Sequence, residues 1–525
     1  MKNTDVSPAA AVHRWARVAG DRTAIVYEGT TIDYGQLSGE VRALAETLAA
    51  GGLRKGDRVA FLGRNSALVL ETALAAAHLG AVFVPLNFRS TGQELAVLLN
   101  DSGVHTLIAE DEFRPAVDGI AGTVPARVFL LADTDEQAPV RAGRPVPPHW
   151  RRLSAAMVAD RGREPTRLHA ADIALLVYTS GTTGRPKGAV LTHGNLWWHD
   201  INTATVIDSR LSETALVVAP MFHIAGLSGF TLGTLTHGGT VVIRRGFSAE
   251  QFLEDLVVHR VANVIAVPTV FEALARTPGF AEADLSALRA AIVGGAPVPA
   301  RLVRDYAVRG VRLQQAWGLT ETAPLAAHLP AHLVGDRPGS AGFPMPHTEI
   351  RLIDPVTGTE VTEPGVAAEI QVRGPNVISE YWNDPEATRA AIDEAGWFRS
   401  GDIGHVDGQG FLHVVDRLKD VIISGGENVY PAEAERLLSE FTGVREAAVV
   451  GVPHPKWGES PVVVLCQDDG PNRSKATLEE IRAFLGGHLA RFKLPTAVHH
   501  VDELPRNAGG KVDKAALRER LSPAR

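Results

Sequence analysis

The sequence predicts an α/β protein with a large N-terminal domain of layered α/β sheets and a smaller α+β C-terminal domain. Three observations lead to this prediction: 525 residues with 45% hydrophobic composition, short apolar runs that alternate with helical patterns, and a change in character near residue 416. A chain of this size and composition buries a large core and exceeds a typical single domain. Alternating strands and helices are typical of sheets whose faces are covered by helices.

The N-terminal part alternates strand-like runs, such as Asp57–Gly63 and Thr106–Asp111, with helical patterns. Its most apolar stretch, Ser66–Asn87, contains Glu71 and His78, so we interpret it as a buried helix and strand and not as a membrane span. Asp133–Arg152 is rich in proline and charge and lacks periodicity, which indicates a surface excursion within the large domain. Further strand-like segments are predicted at Val261–Val270, Leu288–Pro297 and Val311–Glu321.

The C-terminal part has the pattern of a separate small domain. A helix is expected from Pro431, a strand pair follows, and Thr477 with Glu480 forms a capping box at the start of the next helix. Lys514–Leu521 is predicted to be the last helix. A unit of about 110 residues is large enough to fold independently, so we place the domains at 1–415 and 416–525, with the boundary at Asp416.

Charge and cysteine content exclude several classes of protein. The net charge is −8 and no long basic tract is present, so nucleic acid is not an expected partner. Cys466 is the single cysteine of the sequence, so no intrachain disulfide forms, which fits a reducing compartment. The N-terminal residues contain no uninterrupted apolar core. We therefore expect a cytoplasmic protein without a signal peptide or stable membrane insertion.

The segment Tyr178–Gly188, YTSGTTGRPKG, has the composition of a polyphosphate-binding loop. Gly181 and Gly184 allow backbone N–H groups to converge on an anion, and Lys187 supplies a point charge. Pro186 separates Lys187 from the preceding residues and a strand-like run follows, so the loop is not a Walker A motif and is expected to join two strands. A solvated hairpin turn is the alternative interpretation. The loop also carries the hydroxyl side chains of Thr179, Ser180, Thr182 and Thr183.

The same segment resembles the phosphate-loop signature of the adenylate-forming superfamily, which includes acyl-CoA ligases, nonribosomal adenylation domains and beetle luciferases. Later segments resemble further signatures in that family's order: Pro220–Gly226, Gly294–Pro297, Ala316–Thr322, Trp397–Asp402, Asp416–Glu435 and Pro505–Lys511. The resemblance covers nearly the whole chain. It implies a large and a small domain, and a two-step reaction in which a carboxylate reacts with ATP to give an acyl-adenylate and pyrophosphate, after which a thiol displaces AMP.

The resemblance assigns roles around ATP and Mg²⁺. Glu321 is expected to bind Mg²⁺ with help from Thr182, and Thr320 to bond the α-phosphate. Trp317 is expected to stack on adenine, where the family more often has tyrosine. Without the motif, Glu321 would be interpreted as a surface residue after a strand. The resemblance also places the nucleotide against Gly184, Gly295, Ala296, Gln315 and Ala316.

Further roles are implied in the C-terminal part. Asp402 is expected to accept hydrogen bonds from the ribose hydroxyls, with Arg417 and Lys419 nearby. Asp416 matches the family's hinge position, and Lys511 matches the lysine that serves adenylation alone. By themselves these residues would be interpreted as turn or surface residues. The segment around Gly425 and Gly426 is rich in glycine, although nothing in the sequence indicates a turn that requires glycine there. Both glycines are expected to line the path of the thiol of coenzyme A.

The acid is expected to bind beside His223, in an apolar pocket whose predicted lining carries no lysine or arginine. We rank medium- or long-chain fatty acids first and aryl or arylpropenoic acids second. Two alternatives stay open, a stand-alone ligase that loads an acyl carrier protein and a non-catalytic relative, and homodimer formation is also left open. The predicted lining comprises Ile224, Ala225, Gly226, Leu227, Gly229, Phe230, Val293, Gly294, Gly318, Leu319 and Leu325.

Overall fold

The structure, a computed structural model, describes residues 4–132, 146–179, 186–337, 339–467, 475–507 and 510–521. The strands of this part of the chain are β1 Thr23–Tyr27, β2 Thr30–Asp33, β3 Arg58–Leu62, β4 Val82–Leu86, β5 Thr106–Glu110, β6 Val128–Ala132, β7 Trp150–Arg152, β8 Ile173–Thr179, β9 Lys187–Thr192, β10 Thr214–Val217, β11 Thr240–Ile243, β12 Asn263–Ala266, β13 Ala290–Gly294, β14 Leu313–Trp317, β15 Ala327–His328, β16 Phe343–Pro344, β17 Glu349–Ile353, β18 Ala368–Arg373, β19 Phe398–Val406, β20 Leu412–Arg417, β21 Ile422–Ser424, β22 Glu427–Val429, β23 Val444–His454, β24 Gly458–Gln467 and β25 Ala497–His500.

The α-helices of the described residues are α1 Pro8–Val18, α2 Tyr34–Ala50, α3 Ala67–Leu79, α4 Gly92–Ser102, α5 Arg114–Asp118, α6 Leu153–Ala156, α7 His193–Ile207, α8 Ile224–Leu227, α9 Gly233–Thr236, α10 Ala249–Val258, α11 Pro268–Ala275, α12 Ala300–Val308, α13 Pro385–Ala391, α14 Pro431–Leu438, α15 Leu478–Gly486 and α16 Lys514–Leu521. A π-helical turn, Ser228–Leu232, connects α8 to α9, and Thr320–Thr322 forms a 3₁₀ turn.

Two mainly parallel sheets organise the N-terminal part. In the described residues, one has nine strands in the order β16-β15-β14-β13-β12-β10-β11-β1-β2, and the other has seven in the order β7-β6-β5-β3-β4-β8-β9. Antiparallel pairs occur at the edges, including β8 with β9. Most strands are apolar on both faces, as expected for sheets covered by helices. The predicted α/β fold class is confirmed.

The helices begin where the sequence supplies caps. Thr192 caps α7 and forms a reciprocal pair with Asn195, so the helix starts directly after β9. Helix α3 is buried along almost its whole length and ends at Gly80, whose φ of 72° suits a glycine. The predicted buried helix and following strand are therefore confirmed. Among the described residues, no helix combines the length and hydropathy required to cross a bilayer.

The chain divides into two compact units. The first comprises residues 1–338, 342–349 and 372–398, and the second comprises 339–341, 350–371 and 399–525. The four-stranded sheet β17-β18-β19-β20 lies mainly in the second unit, which also contains β22-β21-β24-β23 with β25 beside β24. Asp416 lies within the second unit, in β20. The predicted domain limits and the hinge at Asp416 stay predictions.

The second unit contains the small α+β elements that the sequence predicts. Strands β23 and β24 form a long antiparallel pair, and α14, α15 and α16 follow the predicted spans. Pro431 occupies the first turn of α14, and Thr477 with Glu480 forms the capping box of α15. An apolar core including Ile422, Leu438 and Val463 joins the strand pair to α14 and α15, and Leu517 of α16 packs in a second cluster with Val450 and Val464.

The predicted excursion Asp133–Arg152 differs from expectation at its end. Residues 133–145 lie outside the described residues, but Trp150–Arg152 forms β7 and pairs in parallel with β6. Trp150 is buried, and its Nε1 donates to Asp118 Oδ1 at 2.7 Å. Because one large aromatic side chain recovers apolar burial here, this end of the proline-rich segment joins the sheet.

Candidate active site

Lys187 is the first residue of β9, at the end of the predicted polyphosphate-binding loop. Strands β8 and β9 pair antiparallel, with Thr179 opposite Lys187, so the loop joins two strands as predicted. Thr179 Oγ1 lies 3.4 Å from the carbonyl oxygen of Lys187. The structure therefore places two of the predicted phosphate ligands at one end of a hairpin. The rest of the loop lies outside the described residues: Ser180, Gly181, Thr182, Thr183, Gly184 and Arg185.

Glu321 lies in the 3₁₀ turn after β14 and is buried, with 7% of its surface exposed. Its carbonyl oxygen accepts the backbone N–H of Ile378 at 2.9 Å. Asn376 Nδ2 donates to the carbonyl oxygens of Thr322 and Leu325, at 2.9 and 3.1 Å. Since these bonds hold the turn from outside, the backbone position of Glu321 is fixed by residues over 50 positions later in the chain.

Tyr381 connects the two predicted ATP motifs, although neither motif contains it. Its hydroxyl donates to Glu321 Oε1 at 2.8 Å, and Lys187 Nζ lies 5.3 Å from its ring centroid. Burial, followed by the charge of Glu321, raises the pKa of Tyr381, so the phenol stays protonated and able to donate. Sequence reasoning missed this residue, because an aromatic side chain beside Trp382 gives no signal for such a contact.

The residues around Glu321 fit a magnesium ion that arrives with a polyphosphate. Mg²⁺ binds through one or two carboxylates and completes its shell with phosphate oxygens and water. Glu321 offers one buried carboxylate whose Oε1 is fixed by Tyr381. In the described part of the chain, no group of three or more His, Cys, Asp or Glu side chains could hold a metal by itself. The donor set thus suits a shared metal–phosphate complex.

The residues predicted to surround adenine lie at the carboxyl ends of two neighbouring parallel strands. Val293 pairs with Gln315 and Gly294 with Ala316, so the segments after β13 and β14 end at the same sheet edge. Such edges are the usual ligand-binding position of parallel sheets. Gly295 and Ala296 are exposed at this edge, whereas Gln315, Ala316 and Trp317 are buried and Thr320 is partly buried.

His223 precedes α8 and is exposed. Its ring lies 4.3 Å from that of Phe222, and Phe222 packs edge-on against Phe88 at 5.3 Å. The following residues, Ile224, Leu227 and Phe230, are buried, while Ala225 is partly buried. His223 is thus exposed, whereas the apolar side chains that follow it in the chain are buried, and its expected place beside the acid stays a prediction.

The predicted lining residues divide between two faces of the nine-stranded sheet. Phe230 and Leu325 share a buried cluster with Ile292 and Ala316. Val293 belongs to a different cluster, with Phe271 among others, because neighbouring strand residues point to opposite faces. Among the predicted lining residues, Val293 is therefore not brought together with Phe230. Gly294 at the end of β13 is partly buried, and so are Gly318 and Leu319 just after β14.

Two glycines of the predicted pocket mouth are explained by close backbone approach. A Cβ on Gly318 would overlap the carbonyl oxygen of Pro324, and one on Gly226 would overlap that of Pro220. Their small size is therefore required by the local chain path. It gives no independent evidence for an opening shaped to an alkyl chain.

In the second unit, Asp402 and Arg417 are direct partners. They are opposite each other in the β19–β20 pair, and Arg417 Nε lies 2.7 Å from Asp402 Oδ1. Asp402 is buried, and its backbone N–H donates to Ser400 Oγ at 3.0 Å. The predicted support of Asp402 by Arg417 thus matches the geometry, and the ribose contact stays a prediction. Lys419 lies in the short 3₁₀ turn that follows.

Gly425 and Gly426 form the two-residue turn of the β21–β22 hairpin, between the paired residues Ser424 and Glu427. Their φ angles are 63° and 88°, so both require the left-handed region. The interpretation that these glycines have no turn-specific need is therefore wrong, because a two-residue hairpin of this kind selects glycine at both positions. Their expected place on the thiol path stays a prediction.

Lys511 is exposed near the tip of a small hairpin closed by the Arg506–Val512 bridge. Its backbone N–H donates to Asn507 Oδ1 at 3.1 Å, and its carbonyl oxygen accepts from the backbone N–H of Asn507 at 2.9 Å. Gly510 has a φ of 81° in the turn, and residues 508 and 509 lie outside the described residues. An exposed ammonium on a short hairpin is suited to reach a ligand.

Comparison with known proteins agrees with this arrangement. The model of the AMP-binding enzyme family matches residues 12–382, and the model of its C-terminal domain matches residues 433–511. The chain belongs to the AMP-binding enzyme family. It is an ATP-dependent CoA ligase of the adenylate-forming superfamily, so the family resemblance and the enzyme class predicted from the sequence are confirmed.

Individual relatives of this ligase are similar over nearly their whole length. A feruloyl-CoA synthase from an Amycolatopsis species is 43% identical over 97% of this chain and 98% of its own. The long-chain-fatty-acid–CoA ligase FadD13 of Mycobacterium tuberculosis is 36% identical over 93% of both chains. The ATP-bound crystal structure of MatB from Rhodopseudomonas palustris superposes with a TM-score of 0.87, at 32% identity, over 98% of this chain and 99% of that one.

Proposed function

We propose that the protein activates an aromatic carboxylic acid, of the aryl or arylpropenoic class, and transfers it to coenzyme A. The observation that carries this proposal is the higher identity to the feruloyl-CoA synthase, 43%, than to the fatty-acid ligase, 36%. We therefore rank aryl acids first and fatty acids second, the reverse of the ranking from the sequence. The small residues at 226 and 318 had favoured an alkyl chain. At both positions glycine is instead required by a close neighbouring carbonyl oxygen.

The buried apolar residues that follow His223 in the chain favour a ring-shaped substrate. Phe230 lies in a buried cluster with Ile292, Ala316 and Leu325. Aromatic rings pack favourably edge-on or offset against one another, beyond the gain from buried area. Apolar side chains also disfavour a second carboxylate on the acid, because an unpaired buried charge costs several kcal/mol. The fatty-acid alternative keeps the support of this apolar character.

In the proposed reaction, the acid carboxylate attacks the α-phosphorus of ATP, the bond to the β-phosphate oxygen breaks, and pyrophosphate leaves. Lys187 and Lys511 neutralise phosphate charge, and Asp402 holds the ribose. Magnesium bound through Glu321 and Thr182 would supply charge stabilisation. In the second step the thiol sulfur of coenzyme A attacks the acyl carbon and AMP leaves with the bonding electron pair. Catalysis is then positioning and electrostatics, without a protein nucleophile.

The substrate assignment is tested by the specificity constant across ferulate, cinnamate, benzoate, hexanoate, decanoate and palmitate. Pyrophosphate release is measured with CoA, without CoA and with a phosphopantetheinylated carrier protein. We expect ferulate or cinnamate to exceed every alkyl acid by ten-fold or more, and CoA to be the acceptor. A maximum at decanoate or palmitate would contradict the aryl assignment, and transfer to the carrier protein alone would replace CoA as the acceptor.

A further inference from the structure

A continuous segment, Asn376–Trp382, bridges the two motifs proposed to bind ATP. At one end it holds the Glu321 turn through the side chain of Asn376 and the backbone N–H of Ile378. At the other end the backbone N–H of Trp382 donates to the carbonyl oxygen of Gly188 at 2.8 Å. We call residues 376–382 the brace segment.

The brace segment runs beside β9 like an additional short strand. The backbone N–H of Val190 donates to the carbonyl oxygen of Glu380 at 3.3 Å, and Ala189 forms a bridge with Tyr381. Gly188 permits this approach, because a Cβ there would lie 3.3 Å from Trp382 Cβ and 2.8 Å from Leu176 Cδ1. The backbone of Tyr381 is therefore fixed next to the strand that begins at Lys187.

Within the brace segment, Tyr381 is the residue whose side chain meets both charged groups. Its hydroxyl donates to Glu321 Oε1 at 2.8 Å, and its ring faces Lys187 Nζ at 5.3 Å. Hydrogen bonds to charged acceptors are stronger than those between neutral groups, and an ammonium is attracted to the face of an aromatic ring. Only 7% of the Tyr381 surface is exposed, so water competes little with either contact.

We propose that Tyr381 is a positioning residue that sets the direction of the Glu321 carboxylate and the Lys187 ammonium relative to each other. The hydroxyl fixes one carboxylate oxygen and thereby sets the direction of the other. The ring guides the ammonium without neutralising it, so its charge stays available for phosphate. The inference rests on the proposed roles of Glu321 and Lys187, and it adds a residue that neither motif contains.

Two substitutions separate the two contacts of Tyr381. Tyr381→Phe removes the hydroxyl and keeps the ring, whereas Tyr381→Leu removes both. Tyr306→Phe is the matched control, since Tyr306 is a buried tyrosine of the same unit whose hydroxyl donates to the carbonyl oxygen of Phe271 at 2.8 Å. Mn²⁺ binding in the presence of a non-hydrolysable ATP analogue is followed by electron paramagnetic resonance, beside the Mg²⁺ dependence of adenylation and the melting temperature.

We expect Tyr381→Phe to weaken Mn²⁺ binding and to raise the Mg²⁺ concentration for half-maximal adenylation, each by about ten-fold. The KM for ATP should rise further in Tyr381→Leu, because that variant also loses the ring beside Lys187. Tyr306→Phe should show a similar change in melting temperature and no change in metal dependence. Metal binding by Tyr381→Phe that equals that of the wild type would overturn the inference and leave Tyr381 as a packing residue.

A double-mutant cycle identifies the group through which Tyr381 acts. If Tyr381 orients Glu321, adding Tyr381→Phe to Glu321→Gln should cause little further loss of Mn²⁺ binding, because the partner is already changed. If the double variant loses Mn²⁺ binding by the product of the two single losses, Tyr381 and Glu321 are not coupled and the inference is overturned. If Glu321→Gln alone leaves Mn²⁺ binding unchanged, the proposed metal role of Glu321 fails and the inference fails with it. If Glu321→Gln weakens Mn²⁺ binding and Tyr381→Phe does not, the inference about Tyr381 is overturned, whereas the metal role of Glu321 stands.

Discussion

At the scale of the residue, Lys511 offers the sharpest division between the two half-reactions. Its side chain is exposed on the hairpin of residues 506–512 and can contact a ligand without a change in the core. We predict that Lys511→Ala slows acyl-adenylate formation by at least 100-fold, because it removes a charge that stabilises the pentavalent phosphorus. Conversion of supplied acyl-adenylate to thioester should stay within about two-fold of the wild type, measured by single-turnover kinetics.

Lys475 supplies the matched control for this prediction. It is an exposed lysine of the same unit, next to Ala476 at the start of α15, and no ATP motif contains it. Lys475→Ala should leave both half-reactions unchanged. Equal losses of adenylation and thioester formation in Lys511→Ala would show that Lys511 supports the fold or both steps, against its proposed role in the first step alone.

A residue's role could be predicted when it depends on nearby sequence, and could not when it depends on contacts with residues far away in the chain. The composition of the loop before β9 indicates phosphate binding by Lys187, whereas the metal role of Glu321 is implied by the resemblance of its short motif to the family signature. The role of Tyr381 depends on pairing with β9, almost 200 residues earlier, and with the turn at Glu321, 60 residues earlier. Long-range contacts of this kind leave no local pattern. Asn376 was missed for the same reason.

At the scale of the element, helix α16 is fixed to α14 by an ion pair. Lys514 Nζ lies 2.8 Å from Glu435 Oε1, which also accepts the backbone N–H of Val449 at 2.7 Å. Burial, the largest influence, raises the pKa of Glu435, whereas Lys514 opposes that rise. Removing the cation would leave a poorly solvated carboxylate next to the apolar core of the second unit.

We therefore predict that Lys514→Met lowers the free energy of unfolding of the second unit by about 2–3 kcal/mol, discounted for the partial exposure of the pair. The double variant Lys514→Met with Glu435→Leu should recover most of this loss, since it removes the uncompensated charge. The stability of both variants is measured by denaturant unfolding, with hydrogen exchange of the α14 and α16 amides as the probe. A double variant less stable than the single variant would contradict the ion-pair explanation.

Strands and helices with strong periodicity were predictable, and tight turns were less so. Strand β9 follows from the apolar run after Lys187, and helix α15 follows from the capping box of Thr477 and Glu480. The turn at Gly425 and Gly426 was misjudged because its need for positive φ depends on the register of β21 with β22. Strand β7 was missed because three residues are too few to show a period.

At the scale of the whole molecule, buried histidines make stability depend on acidity. His13, His193 and His328 each have a pKa lowered to about 4, with burial as the largest cause. In the unfolded chain they titrate near 6.5, so the unfolded state binds more protons between about pH 6.5 and 4. Their contribution to stability is complete above this window and decreases as the pH falls through it.

We predict a steep decrease in melting temperature between pH 6.5 and 4, corresponding to roughly 1.4 kcal/mol per histidine for each pH unit within the window. His328→Gln keeps a donor for Gln314 Oε1, which lies 2.9 Å from His328 Nε2, and removes one titrating group. Its melting temperature should depend less on pH than that of the wild type or of a variant at the exposed His332. An unchanged pH dependence would contradict this explanation.

The division of the chain into a large and a small unit could be predicted, because composition and periodicity change along it. The order of strands in the two large sheets could not, since β1 lies beside β11 and β8 beside β4 through crossovers that no local pattern encodes. The placement of Val293 away from Phe230 depends on the face of the sheet that each residue meets. The identity of the acid is the least predictable property, since the residues predicted to line its pocket come from segments far apart in the sequence.

The reaction proposed for this enzyme forms an acyl-adenylate first and a thioester second. The most direct test mixes the protein with ATP, Mg²⁺ and ferulate without CoA, quenches the reaction and quantifies the products by mass spectrometry. We predict enzyme-bound feruloyl-AMP with an equal amount of pyrophosphate, and its conversion to feruloyl-CoA and AMP when CoA is added. Formation of ADP and phosphate, or of thioester without any acyl-adenylate, would contradict the account.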